Sequence, residues 1–179
     1  MKSKLTAVAI AAVVVAGTAA TAIPASAATA KAAPTRCHTA DLEAGFATGD
    51  DAKPEMDQTE QTQAYIWFTN QSNRTCTLSG FAGVDMVGAQ TTDGTWSLAR
   101  SSKTSEKIAL EPGDTTGFTI NLLPVADSTP QEEKFVPAKF LVTPPDETEH
   151  FTLEWPFGGQ ILKQDGATHP GTYLNPVGL

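Results

Sequence analysis

The stretch Gln63-Ala64-Tyr65-Ile66-Trp67-Phe68-Thr69-Asn70-Gln71-Ser72-Asn73-Arg74-Thr75-Cys76-Thr77-Leu78-Ser79 decides the fold class. Over its first seven residues Ala64, Ile66 and Phe68 alternate with Gln63, Tyr65, Trp67 and Thr69. A period of two sends these sets to opposite faces of a strand, and aromatic and β-branched side chains fit such a surface. Asn70 to Arg74 then supplies turn chemistry, since short Asn and Ser side chains hydrogen-bond nearby backbone. Thr75 to Ser79 resumes as a strand, so the two runs predict a hairpin.

The same grammar continues downstream. Gly80 and Gly83 flank a bend, and Val84, Met86 and Gly88 share a face. Thr95 to Ala99 is a short strand after the turn signal Asp93-Gly94. Ile108 to Leu110 leads into Glu111-Pro112-Gly113-Asp114, with Pro and Gly at the central positions of a type II turn. Thr115 to Leu123 follows, with Phe118, Ile120 and Leu122 on one side, and then a polar loop, 124–134. Phe140 to Thr143 and Phe151 to Trp155 read as a hairpin around Pro144-Pro145-Asp146, and Thr172 to Leu174 as a last edge strand. Beyond the first 27 residues, no window of ten or more shows a 3.6-residue period. Short strands with frequent turns predict an all-β fold, an antiparallel immunoglobulin-like β-sandwich. Its expected core is Ile66, Phe68, Leu78, Val84, Phe118, Ile120, Leu141 and Leu153.

Upstream, residues 1–27 read as a secretory signal peptide. Lys2 and Lys4 form a positive start, Leu5 to Ala16 an apolar run, and Ala25-Ser26-Ala27 a small-x-small cleavage site before Ala28. The run is too rich in alanine and threonine for a membrane anchor. No cysteine follows it directly, as a lipid anchor requires, and no LPxTG-like sorting motif precedes an apolar tail. The expected product is therefore secreted and extracellular, with a disordered leader over 28–36 and a single domain over 37–179. Loss of Lys2 and Lys4 moves the formal charge from −8 to −10. That sign disfavours nucleic acid and anionic membranes as partners.

The chain has two cysteines, Cys37 and Cys76. In an oxidising compartment an even pair reads as a disulfide, worth about 4 kcal/mol for a loop of this length. Two free thiols, or one redox-active thiol, are the alternatives.

From Ile66 to Val84 the sequence resembles the secreted actinobacterial family called domain of unknown function 4232. There an apolar strand runs into an Asn-x-Ser-x-x-Thr/Pro-Cys-x-Leu turn and strand, then Gly-aromatic-Pro-Gly-Val. Here Asn70, Ser72, Thr75, Cys76 and Leu78 match, followed by Gly80, Phe81, Gly83 and Val84, with Ala82 in place of Pro. Cys37 to Leu42, the turn Leu110 to Asp114 and Val142 to Thr148 match further family features. Family members often carry additional cysteines in the second half, which this chain lacks. The resemblance implies an extracellular or cell-envelope immunoglobulin-like domain and no particular activity.

Few residue patterns in the chain point to a chemistry. His38, His150 and His169 lie in polar settings with no Gly-x-Ser-x-Gly elbow, and read as surface residues. No His-Glu-x-x-His or close histidine pair argues for zinc. Asp50, Asp51, Glu55, Asp57 and Glu60 cluster in a polar loop, 48–61, without the spacing of an EF-hand. No catalytic residue, metal or cofactor is assigned. Asn70 and Asn73 both begin glycosylation sequons and are read as turn residues. The remaining lead is Tyr65 and Trp67, on the face opposite Ile66 and Phe68, as a contact patch. The expected function is a non-enzymatic interaction module for an unknown extracellular or cell-envelope protein or glycan. A secreted protease inhibitor, presenting Pro144-Pro145 or loop 124–134, is one alternative, and a secreted hydrolase another.

Overall fold

The computed structural model describes residues 33–164 and 167–178. The expected signal peptide and most of the leader lie outside them. Fourteen strands follow in chain order. They are β1 (Thr35–Arg36), β2 (Leu42–Phe46), β3 (Thr62–Asn70), β4 (Cys76–Leu78), β5 (Gly83–Gly88), β6 (Thr95–Ser97) and β7 (Ala99–Arg100). The second half holds β8 (Ile108–Leu110), β9 (Thr115–Leu122), β10 (Lys134–Phe135), β11 (Pro137–Thr143), β12 (Phe151–Glu154), β13 (Ile161–Leu162) and β14 (Tyr173–Leu174). Three short 3-10 turns are the helical elements among the described residues.

The protein is all-β. A five-stranded sheet, β2-β3-β9-β14-β7, faces a four-stranded sheet, β12-β11-β5-β6. Rings meet between the layers: Phe46 of β2 lies 5.2 Å from Phe140 of β11, and Phe68 of β3 lies 6.3 Å from Phe151 of β12. A three-stranded sheet, β1-β4-β8, and the pair β10-β13 complete the structure. The arrangement is compatible with the expected immunoglobulin-like sandwich. Its main ladders are antiparallel, with short parallel pairings of β1 with β4 and β14 with β7.

Alternation decides the layers as expected in β3. Ala64, Ile66 and Phe68 are fully buried, while Tyr65 and Trp67 lie on the other face, half-buried. Leu78, Val84, Phe118 and Ile120 are also core. Leu141 is not: Phe140 and Val142 take the interior, and Leu141 stands opposite Asp85 and Thr152. A continuous apolar triplet carries no parity signal, and the larger Phe140 ring wins the inner face by stacking on Trp155 at 5.0 Å. Leu153 is only partly buried, packed at the rim of the core.

The predicted hairpin of β3 with β4 does not form. β3 pairs with β2 and β9, whereas β4 pairs with β1 and β8, so the chain crosses between sheets at Asn70. The turn Glu111 to Asp114 makes the neighbouring crossing from β8 to β9, with Gly113 at φ +87°, as a type II turn demands. Asn70 joins the two crossings. Its backbone N–H donates to Asp114 O at 2.9 Å, and its carbonyl accepts from Gly113 N–H at 2.8 Å. Its side-chain amide donates to Arg74 O and Leu110 O at 2.9 and 3.0 Å, while its Oδ1 accepts from Ser72. Asn70 is fully buried and fully bonded, so of the two sequons only that of Asn73 is exposed.

Three other expectations change in detail. The β11–β12 hairpin forms as read, with Phe140 opposite Leu153. The strand expected over 95–99 breaks at Leu98, so β6 joins the four-stranded sheet and β7 the five-stranded one. β14 is an inner strand, between β9 and β7, rather than an edge. Within the span expected as leader, Thr35–Arg36 forms a strand alongside Cys76–Thr77, next to the disulfide between Cys37 and Cys76.

Candidate functional site

The outer face of the five-stranded sheet carries aromatic side chains that the core does not use. Trp67 stands between two glycines, opposite Gly45 on β2 and Gly117 on β9. A Cβ at Gly45 would lie 2.5 Å from the Trp67 ring, so the indole lies across the bare backbone of β2. Its Nε1 donates to Phe46 O at 3.3 Å. A Cβ at Gly117 would meet the Tyr65 hydroxyl at 2.5 Å, so Tyr65 leans over β9 in the same way. Burial alone raises the Tyr65 phenol above its ordinary pKa. The two glycines thus seat two aromatic rings on the sheet, both half-buried.

Polar side chains continue this face across the sheet. Gln63, Asn121 and Tyr173 stand in register on β3, β9 and β14, and Ala99 of β7 ends the row. Asn175 donates through Nδ2 to Thr119 Oγ1 at 2.8 Å and to Asn121 Oδ1 at 3.1 Å. Asn175 is only 1 % exposed, and its own Oδ1 has no hydrogen-bond partner. A buried amide oxygen left without a donor is uncommon in folded proteins.

Tyr173 and Asn175 also line a depression of about 390 Å³ at the β7 edge, with Ala99 to Lys103 and Thr168 to Pro170 as its other walls. Its charged or chargeable lining residues are Arg100, Lys103 and His169, and no described acid lines it; Arg100 is in register with inward-facing Leu174, not with Tyr173. The guanidinium of Arg100 rests over the Phe81 ring, 5.7 Å from its centroid. Such stacking holds the planar group while leaving in-plane N–H donors available.

Cations at the N-terminal corner are used differently. Arg36 and His38 both meet the Glu147 carboxylate at 3.0 Å, and Arg74 meets Asp41 at 2.5 Å. Glu147 also accepts from the Thr39 backbone N–H, which is the leading cause of its lowered pKa, with His38, Thr39 Oγ1 and Arg36 adding to it against the opposing effect of burial. These bonds clamp Pro144-Pro145 and its turn to the disulfide corner. Both prolines are buried, while Asp146 and Thr148 to His150 beyond them are exposed.

The family match covers residues 37–174, against the model of a domain of unknown function, DUF4232. The chain belongs to the DUF4232 family. No curated protein matches it. In DUF4232 terms, the motif around Cys76 is structural in this chain: Asn70 and Ser72 build the crossing, and Cys76 the disulfide.

Sequence reasoning placed Tyr65 and Trp67 on the correct face but missed Tyr173, Asn175 and the basic depression. His169, read as a plain surface histidine, lines that depression. A weak signal was present: Ala99-Arg100-Ser101-Ser102-Lys103 is locally basic in a chain with 20 acids and 12 bases. The acidic loop is also less uniform than expected, because Met56 is buried against Gly159. Among the described residues, no three His, Cys, Asp or Glu side chains converge as a metal site. No described helix is long and apolar enough to cross a membrane.

Proposed function

We propose that this DUF4232 chain is a secreted, non-enzymatic binding module whose ligand lies on the outer face of the five-stranded sheet. The observation that carries the reading is the half-exposed pair of aromatic rings, with exposed Gln63 beside them. Trp67 and Tyr65 are seated over Gly45 and Gly117, with Gln63 and Tyr173 in register on either side of the buried Asn121. Aromatic rings with one free face and a polar tip are the residues that dominate recognition surfaces. The disulfide supports an oxidising, extracellular setting.

The test compares the wild-type protein with a Tyr65→Ser/Trp67→Ser variant, both immobilised and offered cell-envelope and culture-medium material. Wild type is expected to retain a defined component that the variant loses, with circular dichroism showing both folded. Equal retention by the two, or none by either, overturns the outer-face reading.

A further inference from the structure

Strand β2 is an edge of the five-stranded sheet, and its register with β3 fixes which of its backbone groups lie open. Ala47 N–H donates to Tyr65 O at 2.9 Å, and Gln71 N–H donates to Asp41 O at 2.8 Å. With Gly45 opposite Trp67, this parity turns the backbone groups of Glu43 and Gly45 toward β3. Those of Leu42, Ala44 and Phe46 point the other way, to the free edge. A row of unpaired N–H and C=O groups is a template on which another chain can pair. The side chains give it little cover, because Ala44 and Gly45 are small and both partly exposed.

Two of these outward groups are already taken from within the chain. At one end, Leu42 N–H donates to Thr39 O in the 3-10 turn that precedes β2. At the other, Phe46 O accepts from Trp67 Nε1 at 3.3 Å. Trp67 belongs to β3, so its indole reaches that carbonyl only by crossing β2, which it does over Gly45. A Cβ at Gly45 would lie 2.5 Å from the ring and close the path. An indole N–H is a donor only, so it satisfies the carbonyl and offers an approaching strand no acceptor in return. An antiparallel second copy centred on Ala44 would set Ala44 against Ala44, and Phe46 against Leu42 of the second copy. Glu43 would then face Gly45 rather than another Glu43, so like charges do not forbid the pairing. Its two ends need Leu42 N–H and Phe46 O, which are the groups already bonded.

We propose that Trp67 guards the β2 edge against strand addition by a second copy of this chain. The guard is its N–H laid on Phe46 O, not the aromatic face invoked above, so it stands whether or not the outer face binds a ligand.

Sedimentation velocity over a concentration series tests it on wild type, Trp67→Phe and Trp67→Phe/Ala44→Pro. Phenylalanine keeps a ring on the outer face and lacks the N–H, whereas proline removes the outward Ala44 N–H and is tolerated at a sheet edge. Trp67→Phe is expected to show dimer at about one-tenth of the concentration that wild type requires, and Ala44→Pro to reverse that gain. Circular dichroism and urea midpoints establish that all three are folded. No gain in association by Trp67→Phe, or a gain that survives Ala44→Pro, overturns the proposal. Amide hydrogen exchange on the wild type adds a test that needs no variant. Ala44 and Phe46 N–H are expected to exchange much faster than Gly45 and Ala47 N–H, which face β3. Equal protection of all these amides would mean that something else already covers the edge, and the guard would be overturned.

Discussion

The two sides of the five-stranded sheet use positive charge in opposite ways. At the corner where the chain enters edge strand β2, Arg36, His38 and Arg74 are all paired with Glu147 or Asp41, beside a disulfide and a fully bonded Asn70. At the β7 edge, Arg100, Lys103 and His169 surround a depression with no described acid on its walls. The first group spends its charge on closing the fold. The second is exposed and has no carboxylate partner among the described residues. The contrast separates cations that hold the chain from cations that are available to something else.

If the first corner is bracing, its covalent link should matter most. Cys37→Ser/Cys76→Ser is expected to cost about 4 kcal/mol, because the 39-residue separation no longer restricts the unfolded chain. Urea unfolding measures it, and a loss below about 1 kcal/mol would show that the other bonds suffice. Asn70→Ala comes next. It strands the carbonyl of Leu110 and leaves that of Arg74 to the Ser72 hydroxyl alone, for an expected loss of about 2 kcal/mol. An urea midpoint close to wild type would remove Asn70 from the centre of the fold.

Glu147→Gln should have a smaller effect, and one that depends on pH. The Glu147 carboxyl has a lower pKa in the folded protein than its ordinary 4.5, so the unfolded chain takes up this proton first as pH falls. Its contribution is therefore complete above about pH 4.5 and is lost as pH drops through the lower folded value. Wild type is expected to exceed Glu147→Gln in stability at neutral pH, with the gap closing in acid. A gap that is constant with pH, followed by urea midpoints from neutral to strongly acidic buffer, would show that charge on Glu147 is not what braces the corner.

The smallest stability effect is expected at the other edge. Arg100→Ala/Lys103→Ala should stay within about 1 kcal/mol of wild type, because these exposed side chains have no ion-pair partner among the described residues and Arg100 loses only its contact with Phe81. A loss above about 2 kcal/mol would erase the contrast, because it would make these cations structural too.

Much of this fold was legible in the chain. Period-two alternation put Ile66 and Phe68 inside and Tyr65 and Trp67 outside, and Pro112-Gly113 marked a turn that formed as read. Other features had no local signature. Asn70 to Arg74 looks like a hairpin turn because the residues that reverse a chain also let it cross to another sheet. Which occurs depends on β9 occupying the place beside β3. Phe140-Leu141-Val142 is apolar throughout, so the inner face was settled by the stack of Phe140 on Trp155.

The candidate site divides along the same line. Tyr65 and Trp67 were visible because they share one alternating strand. What seats them, Gly45 and Gly117, comes from two other strands. The basic depression was not visible, because 99–103 and 168–175 meet only through the parallel pairing of β7 with β14. By itself, then, the sequence determined the all-β class, the faces of its alternating strands and the pairing of its only two cysteines. These follow from side-chain period and count. Tertiary structure alone decided which strands became neighbours, and with that which charges are neutralised and which remain open. Coulombic pairing depends on separation in space, which the order of residues along a chain does not specify.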